Sequence, residues 1–204
     1  MSSAELHKRL VDAVGPSHVL VEPDMVAGYV RDWTGRWTGE TRAVVRPGSV
    51  AEVQGVVRVC HDLLVPVVPQ GGNTGLVGGS VPHQGEVVLS MRRLDRLEPI
   101  DNMEVTVGSG VTVSALQAHS RAAGLTYGVD LASRDSATIG GTIATNAGGM
   151  NVVANGDTRR QVLGLEVVFA DGSVGSRLDG VAKESTGPDL FQLMVGSEGT
   201  LGVI

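Results

Sequence analysis

The chain has 204 residues, long enough to bury roughly 70% of its unfolded surface as one large domain or two small lobes without a metal or disulfide staple. Sixteen Lys and Arg stand against 22 Asp and Glu, a net charge of −6 that argues against non-specific attraction to nucleic acid or anionic lipid. Aromatics make up only 3%, too few for a platform that stacks single-stranded bases, and one cysteine, Cys60, excludes an internal disulfide or a thiolate metal cluster.

The amino terminus lacks the apolar run of a signal peptide, and no stretch of about 18 apolar residues occurs, so a soluble, cytoplasmic protein without an integral membrane segment is expected. Leu6, Leu10, Val11 and Val14 recur at helical spacing over residues 4–14, and Gly15-Pro16 stops the pattern. A loop with Trp33 and Trp37, whose rings are expected to bury against a sheet, leads to an apolar run at Ala43-Val44-Val45. Ser49, with Glu52 three residues on, has the capping-box pattern of a helix start. Val50, Val53, Val57, Cys60 and Leu64 then follow at three- and four-residue steps, which puts Cys60 on the buried face. Short strands are expected at residues 65–69 and 87–89, and this strand–helix–strand order predicts a small parallel sheet.

A second lobe is expected to begin near Leu94, dividing the chain into residues 1–93 and 94–204. Residues 97–102 and 104–110 read as a hairpin, and residues 112–123 as a helix ended by Gly124. A second hairpin is expected over residues 162–177 with Asp171-Gly172 as its turn, then a helix at residues 189–195 and a strand at residues 200–204.

Twenty-nine glycines are about twice the share expected from a usage of about 7%, and they cluster. PQGGNTGLVGGSVP, residues 69–82, directly follows a strand. Its glycines remove side chains, so successive main-chain N–H groups can converge on an anion such as a diphosphate. No Gly-Lys-Ser/Thr follows and the spacing is not GxGxxG, so neither familiar nucleotide loop applies; a glycine-rich surface loop without a ligand is the alternative. SRDSATIGGTIATNAGGM, residues 133–150, again pairs glycine doublets with small hydroxyls, and such a segment offers little apolar area and many amides in need of partners. Two such segments, one per lobe, suggest a long phosphorylated ligand clamped between the lobes.

Together with VGSEGTLG at residues 195–202, these stretches resemble the FAD-binding domain of the vanillyl-alcohol oxidase family, and within it the FAD-linked D-2-hydroxyacid dehydrogenases and glycolate oxidases. The resemblance runs from about Asp32-Trp33 to the last residue. It implies an α+β fold of two lobes, a small parallel βαβ lobe and a mostly antiparallel sheet lobe with helices. It also implies an enzyme that oxidises a D-2-hydroxy acid such as D-lactate, glycolate or D-2-hydroxyglutarate by hydride transfer to flavin N5. The alternative is a non-catalytic FAD-binding module or fragment.

By the same resemblance, Gly71, Gly72, Asn73, Thr74, Gly75 and Ser80 match the loop that holds the FAD pyrophosphate. Ser136, Thr138, Gly140, Gly141, Thr145 and Gly148 match the loop beside the ribityl chain and ring, while Gly156, Glu198, Gly199 and Ile204 match later approaches to the cofactor. Members that attach flavin covalently use His near the position of Asn73, so non-covalent FAD is expected here. The family usually has an aromatic where this chain has Asn155. In the family a cap domain follows, bearing the substrate-binding basic residues and the histidines credited with proton abstraction or metal binding; it is expected to be absent from these residues. The five histidines here show no metal spacing, so no catalytic or metal residue is assigned, the electron acceptor is open, and a homo-oligomer is an option. Arg31, Asp32 and Arg36 read as a solvated face, Arg159-Arg160 as surface ion pairing beside Asp157, and Lys183-Glu184 as a loop charge pair.

Overall fold

Residues 3–179, 185 and 187–204 are described by the computed structural model of the chain. Helix α1 (Ser3–Val14) buries Leu6, Leu10 and Val14 and is followed by strand β1 (Val19–Leu20) and the single-turn α2 (Pro23–Val26). Strand β2 (Thr41–Val45) carries the expected apolar run. Helix α3 (Val50–Asp62) starts as a capping pair: Ser49 Oγ accepts the Glu52 N–H at 3.2 Å, and the Glu52 carboxylate reaches back to the Gly48 N–H at 2.7 Å. Cys60 is fully buried as expected, but Leu64 is not part of that face; it is 89% exposed and left-handed, φ 52°, where the helix ends.

Strands β3 (Val67–Gln70) and β4 (Glu86–Ser90) complete a four-stranded sheet in the order β1-β2-β4-β3, with the last three parallel and β1 antiparallel at the edge. The third parallel strand in the chain therefore inserts between the two joined by α3. Both faces of β4 are covered, and Val87, Val88 and Leu89 are fully buried. Such continuous apolar runs are what a parallel strand buried on both faces requires.

The second half contains helix α4 (Val113–Ala122), closed by Gly124 as expected, the short helices α5 (Ile139–Thr145) and α6 (Val152–Asn155), and the antiparallel pair β5 (Leu165–Val168) and β6 (Val174–Arg177). The hairpin expected at residues 97–110 exists in outline only: Leu97 bridges Val107 and Asp101 bridges Glu104, without named strands. The β5–β6 turn is not a two-residue Asp-Gly turn. Gly172 N–H bonds Phe169 O and Phe169 N–H bonds Ser173 O, a three-residue loop with left-handed Gly172, φ 79°, as its bulge. The helix expected at residues 189–195 is a 3-10 turn at Leu190–Leu193, and the last strand is a single bridge from Val203 to Val168.

Two apolar cores result. The first gathers α1, α3 and the parallel sheet; the second gathers α4, α5 and β5. Strand β5 divides them, since Leu165 and Val167 face the second core while Val168, with Val203, faces the first. Side chains from α3 fasten the halves: Gln54 Nε2 and an Arg58 guanidinium N–H both donate to Gly172 O, at 2.9 and 3.2 Å. Among the described residues no helix is long and apolar enough to cross a membrane.

Candidate functional site

The first glycine segment leaves the end of β3. Buried Gln70 sends its amide to Tyr29 O (2.9 Å) and Ser80 O (2.8 Å), which folds residues 71–80 back on themselves. Asn73 is left-handed, φ 55°; its Nδ2 donates to Arg31 O at 2.8 Å, and its Oδ1 accepts from Ser80 Oγ at 2.8 Å. Arg92 takes the carbonyls of Gly71 and Gly72, at 3.3 and 3.4 Å. Carbonyls and side chains are thus tied down, whereas none of the main-chain N–H groups of residues 71–80 donates to another described group. Most of these residues are part-exposed or exposed, so their free N–H groups stand open to an acceptor from outside.

The tryptophan loop roofs this segment instead of burying its rings against the sheet. Trp33 is 70% exposed, and Trp37 packs on Gly78 and meets His83 edge-on at 6.0 Å. Asp32 is not part of a solvated face: it is buried and accepts from Thr34 Oγ1 and from the N–H groups of Thr34 and Trp37. Burial alone would raise its carboxyl, but those hydrogen bonds outweigh it and hold the group below the usual carboxylate range.

The second segment lies directly against the first. A Cβ on Gly72 would overlap the Ser136 carbonyl oxygen, and one on Gly71 would overlap Thr138 Oγ1. Glycine at residue 72 lets the two loops close to main-chain contact, and glycine at residue 71 leaves room for the Thr138 hydroxyl. Thr138 then caps α5, accepting the Gly141 N–H at 3.4 Å, while Gly140 N–H donates to Ser109 O at 2.9 Å. Thr145 Oγ1 returns to Gly141 O at 2.9 Å. At the far end of α5, left-handed Asn146 donates to Asp157 Oδ2 at 2.9 Å and accepts the Arg159 N–H at 2.9 Å. The amide of Asn146, the largest influence, together with nearby main-chain N–H groups outweighs burial and lowers the Asp157 carboxyl. Gly196 N–H and Glu198 N–H donate to Ile143 O and Ala144 O, at 3.0 and 2.8 Å, which seats the third motif on the same helix. Arg159 is not engaged in surface ion pairing; its guanidinium holds Gln192 O and Val195 O. Asn155 sends its amide to Gly128 O at 3.2 Å. Lys183 and Glu184 lie outside the described residues.

The three motifs line a small cleft of about 60 Å³, with Gly71 from the first, Thr138, Gly140 and Gly141 from the second, Gly199 from the third, and Ile204 just beyond it. Gly72 and Ser136 meet beside it. Asn73, Thr74, Gly75 and Ser80 continue the first loop outward, with the side chains of Asn73 and Ser80 committed to each other, so these two would offer a ligand their main chain. Glu198 leans over the same loop, its Oε2 3.6 Å from where a Cβ on Gly79 would stand. Gly148 and Gly156 sit apart, packed against Val152 and Arg160. The sequence reading passed over Ser109 and Met91, which also line the cleft. Ser109 Oγ is buried with no partner among the described residues, and its position between Gly108 and Gly110 is the signal that could have found it. No titratable side chain lines the cleft, and no metal-holding group of His, Cys, Asp or Glu occurs among the described residues.

The FAD binding domain family matches residues 41–176. A D-2-hydroxyglutarate dehydrogenase of Xanthomonas citri pv. viticola is 46% identical over 96% of this chain and 42% of its own length. The mitochondrial D-2-hydroxyglutarate dehydrogenase of Bos taurus is 39% identical over 95% of this chain and 36% of its own. Among solved structures, alkyldihydroxyacetonephosphate synthase superposes with a TM-score of 0.83 at 22% identity, over 100% of this chain and 42% of that one. The 4-ethylphenol oxidase of Gulosibacter chungangensis superposes with a TM-score of 0.76 at 26% identity, over 98% of this chain and 40% of that one. The chain thus spans about two fifths of the length of the curated relatives it matches.

Proposed function

Since the chain belongs to the FAD binding domain family, we propose that it is the flavin-holding part of an oxidoreductase acting on a D-2-hydroxy acid, with D-2-hydroxyglutarate the foremost candidate. The observation that carries this reading is the row of unused N–H groups at residues 71–80, set where the two glycine segments touch. That donor set fits a diphosphate, and the flanking cleft is largely apolar in its wall, which suits the flat ring of a flavin. Bound flavin would supply the acceptor for a hydride from the substrate Cα.

The residues of this chain would bind and orient. The first loop would grip the diphosphate through its main chain, and Thr138, Gly140 and Gly141 would lie along the cofactor. Asn73, held by Arg31 O and Ser80 Oγ, offers no imidazole for a covalent link, so FAD held non-covalently is part of the reading. So is the division into lobes 1–93 and 94–204, supported by two cores that separate near that boundary except for Val168 and Val203. With no titratable side chain in the cleft lining, removal of the substrate hydroxyl proton is assigned to no residue here.

The test is titration of the purified chain with FAD. Quenching of flavin fluorescence that saturates at one equivalent, with release of intact FAD on acid denaturation, supports the reading; a preparation that stays colourless in excess FAD ends it. Anaerobic bleaching by D-2-hydroxyglutarate separates an enzyme from a flavin module without turnover.

A further inference from the structure

We propose that Arg92 supplies the positive charge that the ligand diphosphate meets in this site, a role that rests on the flavin-binding reading above. The first glycine segment, residues 71–82, contains no charged side chain, and every residue lining the cleft is uncharged. A negative charge, the Glu198 carboxylate, stands beside the loop at Gly79. A diphosphate carrying about two negative charges would therefore be gripped by neutral N–H groups alone unless a cation stands by.

Arg92 is that cation. It follows Met91, which lines the cleft, and its side chain touches the loop itself through Gly71 O and Gly72 O. Both contacts are long, and they use two of the guanidinium's five donors. No carboxylate pairs with it among the described residues. Its neighbour Arg93 differs: it donates to Arg46 O at 2.6 Å and lies 3.7 Å from Glu52, so it is committed to the start of α3. An unpaired, exposed arginine fastened to the two glycines of an anion loop has both the charge and the free donors that a phosphate oxygen needs.

The experiment compares wild type, Arg92→Gln and Arg92→Lys for FAD affinity by fluorescence quenching in low and high salt, with thermal melts of the ligand-free proteins as a folding control. The charge role predicts that Arg92→Gln raises Kd about tenfold in low salt, that the gap narrows as salt rises, and that Arg92→Lys recovers most of the loss. An unchanged Kd in Arg92→Gln overturns the proposal and leaves the flavin reading intact. Equal, salt-independent losses in both variants also overturn it, since they mark a brace for the two carbonyls and nothing more. A wild type that binds no FAD overturns the flavin reading and this assignment together.

Discussion

Gly72 meets the carbonyl oxygen of Ser136 so closely that a single methyl group on Gly72 would occupy the oxygen's place. The obstacle is main chain, which cannot swing aside as a side-chain tip can. Gly72→Ala must therefore push the first loop off the second, with an overpacking cost of about 1–3 kcal/mol. The expected outcome is a lower denaturation midpoint and a large loss of FAD affinity. Gly75→Ala, where nothing lies within 4 Å, is the control and should fold like wild type.

Arg159 joins the third motif to the end of α5 through Gln192 O and Val195 O. Arg159→Met keeps much of the aliphatic stem but removes both charged donors, at a cost of about 2 kcal/mol. A fall in Tm of about 6 °C is expected for a chain of this size. Calorimetry checks it, and an unchanged Tm would show that the third motif is held by its N–H bonds to Ile143 O and Ala144 O alone.

The Asp157 carboxyl is held below its ordinary value of 3.8, with the Asn146 amide as the chief cause. A depressed folded-state value means that the ionised group stabilises the fold above pH 3.8 and that this contribution is lost as pH falls through the folded value. Asp157→Asn should therefore be less stable than wild type at neutral pH, and the difference should shrink on acidification below 3.8. Urea midpoints measured across that range give the answer; a difference independent of pH would assign the role to shape and not to charge.

What the sequence made legible was local or repeated. The Ser49–Glu52 cap, the apolar steps of α3, the runs at β2 and β4 and the three glycine motifs each lie within a few residues, and each appears in the structure. What it hid depends on distant partners. Nothing near Gly72 announces Ser136, nothing near Arg159 announces Val195 O, and Trp37 finds its partner across the first loop at Gly78. The expected strand at residues 200–204 is a single bridge because Val168 is its one paired partner among the described residues. The helix-stop rule fared unevenly for a physical reason: it looks for glycine, and the end of α3 uses a leucine.

That leucine gives the last prediction. Helices α3 and α4 end in the same hydrogen-bond pattern: Leu64 N–H to His61 O with Val65 N–H to Cys60 O, and Gly124 N–H to Arg121 O with Leu125 N–H to Ser120 O. Both pivots are left-handed, at φ 52° and 73°, but only Gly124 adopts that conformation without a Cβ penalty. The Leu64 side chain is 89% exposed, so little burial is lost with it. Leu64→Gly should stabilise the chain by about 0.5–1 kcal/mol, the left-handed penalty less the added freedom of glycine in the unfolded state. It should leave FAD affinity unchanged, because the residue stands outside the cleft lining. Cys60, buried with its thiol pushed up to about 12, gives an independent readout of the same helix end. Its alkylation at mild pH requires local opening, so Leu64→Gly should slow that labelling as well as raise the denaturation midpoint. Faster labelling, or a lower midpoint, would mean that Leu64 makes apolar contacts in solution worth more than the strain it carries.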